Sequence, residues 1–462
     1  MGCTTMLVGR KASLNGATLI ARNDDSPSGV FVAKKWVVVS PEDQPKHYKA
    51  VRSKLELDLP KNPLRYTATP NAREGEGFWG ASGINSSNVA MTATETTTSN
   101  PRVYAGDPLL DPKTEGGIGE EDILLLVLPY IHSAKEGVLR LGELLETYGT
   151  YERNGIAFSD SKDIWWLETI GGHHWMAYRL PEDCYAVLPN EFCLDRFDFK
   201  DAFGKAKDYL CSKDLREFII NNDLGDPEHF NPRESFGSHR DADHVYNTPR
   251  AYFLQRLFSP KAVEEKKLTP ASEDWEFCLK PERLLIPEDV KYALSYHYQG
   301  TPHDPYVKGN EAIYRPIGIS RTDDMSILEL KEEARPIEWV SLGCNVYSPS
   351  CPFFADVSQT PEYLHNAVNR VDTENFYWAI RVISGLADSH FNLVSPYIDR
   401  YQESVSSKGR ALIKEAIKEG RSSELTNQRI ADMLRKETDE CLFLVLLAVS
   451  KVMKNGFSRS DD

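Results

Sequence analysis

The feature that most constrains this chain stands at its start. "CTTMLVG" and "ATLIARN" are short, β-prone segments joined by a turn containing Asn15-Gly16, a pair that favours the reversal of an antiparallel hairpin. A hairpin at the head of a chain commits the fold to an antiparallel sheet early, and Cys3 sits at its first position. A thiol at a frayed terminus packs nothing, so Cys3 has a chemical role unless the terminus itself is buried.

The remaining composition narrows the partners. With 462 residues and 41% apolar content the chain can bury a substantial core. Its formal net charge of -15 opposes approach to nucleic acid or to an anionic membrane surface. No basic region followed by an apolar stretch marks a secretory signal. The longest apolar run, "CLFLVLLAV" at 441–449, falls well short of the roughly 20 residues needed to span a bilayer. Eight cysteines are scattered without a CxxC pair, as expected of reduced thiols in a cytoplasmic protein. "MGC" could begin a lipid-anchor signal, but Met6 occupies the position where that signal wants Ser or Thr.

Along the chain, strands come first. "KKWVVVS" and "RYTATP" continue the β pattern, and "FWGASGINSSNVAMTATET" reads as two strands around a turn at Asn85 to Asn88. "EEDILLLVLPYIH", interrupted at Pro129, and "SAKEGVLRLGELLETYG" then form a helical layer. In the second of these, Ser133 and Glu136 are spaced as a capping box and Gly149 is a stop. Strands return in "DIWWLETIGG", "HWMAYRL" and "CYAVLPN". Beyond residue 200, helical patterns in "DAFGKAKDYL", "DLREFIINN" and "TPRAYFLQRLF" alternate with Pro-rich loops, and "EWVSLGCNVY" reads as a strand. After Asp372 the chain is helical to its end, its last helix capped by Thr426 and stopped by Gly456. With no repeat or low-complexity linker, the simplest organisation is one α+β core with a helical C-terminal elaboration.

The chemistry centres on the first hairpin. Were Cys3 the first residue, its thiol and its own α-amine would form a nucleophile and base on one residue, because an α-amine titrates near pH 7.7–8.0. The second strand brings "ARNDDS" back beside the start, so Arg22 and Asp25 can flank Cys3. A guanidinium favours the thiolate, and a carboxylate can hold or orient the amine. Without the terminal cysteine, the same two residues would read as a surface ion pair.

"CTTMLVGRKAS", "ARNDDS", "WGASGINSSNVAMTATET" and "DIWWLETIGGHHWMAYRLPEDCYAVLPNEF", in that order, resemble the C69 dipeptidases, the PepD family of N-terminal-nucleophile hydrolases, over most of the chain. The resemblance implies an αββα four-layer sandwich, two antiparallel sheets between helical layers. It also implies hydrolysis of dipeptides by a cysteine exposed when a short leader removes itself, with no metal and no cofactor. On that reading residues 1–2 are the leader, 3–360 the core with insertions, and 361–462 a helical part packed on it. The Gly2-Cys3 bond then breaks by attack of the Cys3 thiol on the Gly2 carbonyl. The resemblance makes Cys3 the nucleophile, Arg22 and Asp25 its polar neighbours, and Asn190 in "VLPN" a donor to the oxyanion. Arg250 in "NTPRAYF" matches a further active-site arginine, with Arg256 close enough to compete for the role.

A dipeptidase also needs a group to hold the substrate's ammonium. Glu95 and Glu168 are carboxylates within the matched segments, although alternation along a strand leaves open which way Glu168 points. "SHRDADH", with His239, Asp241, Asp243 and His244, reads as a polar loop rather than a metal site. His173-His174 caps or lines a cleft, and Trp165, Trp166 and Trp175 belong to the core or a pocket wall. Dipeptides are the expected substrates, and a homo-oligomer is compatible with the sequence. Two other functions fit the same nucleophile or its loss: an acylase of non-peptide amides, and a catalytically silent, secernin-like binding protein.

Overall fold

The computed structural model describes residues 2–27, 30–73, 75–93 and 95–457. Strand Thr4–Val8 pairs antiparallel with strand Thr18–Asp25, Val8 opposite Leu19 and Thr5 opposite Arg22. The connection is longer than a two-residue hairpin turn. Gly16 sits in the left-handed region at φ 77°, and Ser13 bridges to Leu285 before the chain reverses. Both strands are buried along their whole length, which requires covering layers on each face.

Those layers are present. The first sheet has seven antiparallel strands in the spatial order Cys278–Leu279, Tyr185–Leu188, Thr4–Val8, Thr18–Asp25, Thr322–Leu330, Ile337–Leu342 and Cys351–Phe354. The second runs Tyr209–Cys211, Trp175–Arg179, Ile164–Thr169, Asn154–Ser159, Ala90–Thr92 and Ser82–Ile84, with Glu95–Thr96 also paired to Asn154–Ser159. The sheets pack face to face, Thr18–Asp25 against Asn154–Ser159 and Ala90–Thr92. Helices Thr248–Phe258 and Pro287–Leu294 cover the outer face of the first sheet, and helix Ala134–Tyr148 covers the second. The result is the α+β, αββα sandwich.

Local sequence explains most of these elements. Ser133 caps helix Ala134–Tyr148 by accepting from the Glu136 N–H, and Gly149 ends it at φ 66°. Glu136 turns its carboxylate to the His132 N–H rather than closing the box on Ser133. "DAFGKAKDYL" is not one helix. Asp201 accepts from the N–H groups of Asp208 and Tyr209 at 2.7 and 2.9 Å, stopping the helical turn Phe199–Ala202 and launching edge strand Tyr209–Cys211.

Three helices, Phe376–Ala387, Phe391–Glu419 and Ser423–Phe457, pack with one another; the last two lie on strand Cys351–Phe354 and the first on strand Ile337–Leu342. Phe353, Ile380, Val405 and Leu434 share that core. The last helix begins at Ser423 and runs through Gly456, so Thr426 is not its cap. The Thr426 hydroxyl instead donates to the Ser422 carbonyl, while Ser422 Oγ receives the Leu425 N–H. Among the described residues no helix is long and apolar enough to cross a membrane.

Candidate active site

Cys3 is fully buried at the mouth of the first hairpin, where the two sheets meet. Side chains alternate along strand Thr18–Asp25, so Arg22 and Asp24 share one face and Asn23 and Asp25 the other. Arg22 Nη2 stands 3.0 Å from Cys3 Sγ. The same nitrogen reaches Glu120 Oε1 at 2.8 Å and Asp24 Oδ1 at 3.3 Å. A guanidinium among a thiol and two carboxylates, all screened from solvent, favours the thiolate while its own charge is balanced. Burial works to raise the Asp24 carboxyl, but Lys34, at 2.6 Å, and Arg22 outweigh it and hold Asp24 below its ordinary value.

Glu120 owes its position to the start of helix Glu120–Val127. Three consecutive carboxylates, Glu120, Glu121 and Asp122, are buried there, where the unpaired N–H groups favour negative charge. Asp122 accepts from the Gly119 N–H at 3.0 Å and from the Tyr48 hydroxyl, and Glu121 accepts from the Tyr151 hydroxyl. Burial, and then the neighbouring Glu121, push Asp122 up to about 7. Glu152 receives the Glu120 N–H at 2.9 Å; burial and the Glu120 charge push it up to about 7 as well.

Asp25 lies on the other face of its strand. Its carboxylate accepts from Thr322 Oγ1 at 2.6 Å and pairs with Arg315, whose Nη2 also donates to the Gly2 carbonyl. Asp25 therefore meets the start of the chain through Arg315, a residue for which the sequence offered no motif. Gly2 fits closely there, since a Cβ would fall 2.0 Å from the Tyr246 hydroxyl oxygen.

Arg250, not Arg256, is the second buried arginine of the site. It donates to the Cys3 carbonyl, to Thr4 Oγ1 at 2.8 Å, to Asn190 Oδ1 at 2.7 Å and to Asn247 Oδ1 at 2.6 Å. Arg256, two turns along the helix, is exposed and meets only the Tyr252 hydroxyl among the described hydrogen bonds. The Asn190 side-chain oxygen is thus taken by Arg250, and the Asn190 backbone carbonyl accepts from Asn247 Nδ2 at 3.2 Å.

Glu168 is fully buried. It accepts from the Cys193 N–H at 2.7 Å, from Trp166 Nε1 at 3.0 Å and from the Leu194 N–H at 3.5 Å, fixing the loop that follows Asn190. Burial pushes it up to about 7 against those donors. The Glu95 backbone pairs with Gly155, and its side chain lies outside the described residues. In "SHRDADH", His239 and His244 both bond to Glu273, at 2.9 and 2.7 Å, while Asp243 takes the Ser238 hydroxyl and the Arg240 N–H. His173 and His174 are gathered by Asp107, at 3.2 and 2.7 Å. Among the described residues no three His, Cys, Asp or Glu side chains are grouped as a metal cage.

An antiparallel αββα sandwich with a buried thiol, a guanidinium and an Asn–Arg pair at its mouth defines a class of hydrolase architecture. The model of Peptidase family C69 matches residues 2–404, and the chain belongs to that family. It is 47% identical to "Probable dipeptidase A" of Streptococcus pyogenes serotype M3 and 43% identical to "Dipeptidase" of Bifidobacterium longum, each over 100% of both chains. It is 40% identical to "Dipeptidase A" of Lactobacillus helveticus over 95% of each. Among solved structures, a single-residue variant of conjugated bile acid hydrolase from Clostridium perfringens aligns with 80% of this chain and all of its own, at 12% identity and a TM-score of 0.33.

Proposed function

We propose that this chain is a dipeptidase that works through Cys3 as an N-terminal nucleophile. The observation that carries the reading is the 3.0 Å approach of Arg22 to the Cys3 thiol inside a C69 peptidase; the relatives' names supply the dipeptide. In the first step Cys3 Sγ attacks the Gly2 carbonyl carbon, and the C–N bond to Cys3 breaks as its nitrogen takes the thiol proton. Arg315 steadies the negative charge that builds on the Gly2 oxygen. Water then hydrolyses the resulting thioester, releasing Met1-Gly2 and leaving Cys3 with a free α-amine.

That amine is the base for substrate. It accepts the thiol proton, the thiolate attacks the scissile carbonyl, and Asn190 steadies the oxyanion. The proton passes to the departing amino acid, and water attacks the acyl-thioester with the amine again as base. Arg22 stabilises the thiolate, Arg250 sets the Asn190 amide, and Asp25 holds Arg315 in place. The thiols fit a cytoplasmic setting.

The test compares release of free amino acids from a dipeptide, a tripeptide and a non-peptide N-acyl amide, with the intact mass of the active protein measured alongside. Dipeptide cleavage by protein beginning at Cys3 is the expected outcome. Cleavage of the N-acyl amide alone overturns the reading in favour of an acylase.

A further inference from the structure

The residue before the nucleophile has no room for a side chain. A Cβ built on Gly2 would overlap the Tyr246 hydroxyl oxygen, and it would stand 3.1 Å from the ring carbon bearing that hydroxyl and 3.0 Å from Arg315 Nη2. Carbon in relaxed contact keeps roughly 3.5–4.0 Å from its neighbours. A side chain at position 2 therefore requires that Tyr246, Arg315 or the backbone of residue 2 move.

A tyrosine hydroxyl is the far end of a flexible side chain and would swing aside if nothing held it. Tyr246 is held by three arginines. Arg250 and Arg315 each lie over its ring at 5.1 Å, an arrangement that attracts a guanidinium to the π face. Arg321 Nη2 donates to the hydroxyl at 3.3 Å, and Arg250 Nε donates to the Tyr246 carbonyl at 2.8 Å. Each arginine is anchored in turn. Arg250 is bonded to Asn190 and Asn247, Arg315 is paired with Asp25, and Arg321 Nη1 donates to the Ser26 carbonyl at 2.6 Å. Swinging Tyr246 aside breaks this set of contacts. Moving residue 2 instead draws its carbonyl away from Arg315, which donates to it.

We propose that Tyr246 determines which residue can precede the nucleophile: it admits glycine at position 2 and excludes a side chain there, so that the chain cuts itself at a Gly–Cys bond. The inference rests on self-removal of the leader and names the residue that sets the specificity of that cut. In the cut, Cys3 Sγ bonds to the Gly2 carbonyl carbon, the C–N bond to Cys3 breaks, and the thiol proton passes to the Cys3 nitrogen. Water then hydrolyses the thioester. Arg315 receives the charge that builds on the Gly2 oxygen, so a Cβ that displaces this carbonyl slows the cut even where the chain still folds.

The test follows loss of residue 2 by intact mass during cell-free synthesis of the full chain. Gly2→Ala is expected to lose it about tenfold or more slowly than wild type. Tyr246→Phe removes only the hydroxyl and leaves the ring carbon 3.1 Å from the new Cβ, a contact that a small shift relieves. Tyr246→Phe alone should therefore process as wild type does, and Gly2→Ala with Tyr246→Phe should recover to within about threefold of it. Gly2→Ala processed at the wild-type rate, or left as slow when the hydroxyl is removed, overturns the proposal. A second measurement needs no cut. In a Cys3→Ala background, Gly2→Ala should lower the melting temperature and Tyr246→Phe should restore it; a loss that Tyr246→Phe leaves unrestored places the clash elsewhere and also overturns the proposal. Active wild-type protein that keeps Gly2 is a different result: it refutes leader removal itself and takes the specificity of the cut with it.

Discussion

Replacing Arg22 by methionine removes the one cation in contact with the Cys3 thiol among the described hydrogen bonds, and the structure sets the size of the effect. Arg22 Nη2 meets Sγ at 3.0 Å in a site closed to solvent. A hydrogen bond to a charged partner contributes about 1.5–3 kcal/mol. At about 1.36 kcal/mol per decade, kcat for dipeptide cleavage should fall by roughly ten- to 150-fold. KM should change much less, because the guanidinium acts on the nucleophile and not on the substrate. Iodoacetamide should also inactivate the variant more slowly at neutral pH, and the rates should converge as the pH is raised and both thiols ionise.

The same substitution has a second cost, on stability. Glu120 and Asp24 lose the cation they share, and breaking a buried pair by removing one partner costs about 3–5 kcal/mol. Arg22→Lys separates the two effects. Lysine keeps a charge for the carboxylates but is a single point donor, unable to span Sγ and both carboxylates as a guanidinium does. It should recover most of the lost melting temperature and little of the lost kcat. A variant with kcat intact and KM raised would refute the reasoning and move Arg22 into the substrate pocket.

Protein that is active should begin at Cys3, and Cys3→Ala should keep Gly2 and lose all hydrolysis, as N-terminal sequencing and intact mass will show. Arg315→Met should slow removal of Met1-Gly2, seen as retained leader mass after expression. On the proposed mechanism the chain supplies nucleophile, base and oxyanion donor itself, so excess EDTA should leave activity unchanged, while iodoacetamide should abolish it with the label on Cys3. Burial pushes Cys211 and Cys441 up to about 12 and Cys344 to about 11, so these should stay unlabelled; Cys184, held low by its hydrogen bond with Cys278, is the competitor to map by mass spectrometry.

The parts of the fold written in local sequence were legible because their physics is local. Ser133 and Gly149 delimit their helix through contacts within a turn, and the first two strands declare themselves by β-prone runs around Asn15-Gly16. "DAFGKAKDYL" misled because its helical spacing is overruled by Asp201, whose carboxylate captures N–H groups seven and eight residues on. The site divides in the same way. Cys3, Arg22, Asp25, Asn190 and Arg250 sit in recognisable segments, but what each one touches depends on partners up to 297 residues away. The clearest case is the pair Asp24 and Asp25. Sequence proximity favours neither, and only the pleat decides that Asp24 faces the thiol with Arg22 while Asp25 faces Arg315. Glu120 was illegible for a related reason: a carboxylate at a helix start reads as a dipole partner on the surface, and its burial against Arg22 exists only once the second sheet has closed over the first. The proposed nucleophile was thus encoded in one short stretch, whereas the buried charges around it are assembled by the sandwich.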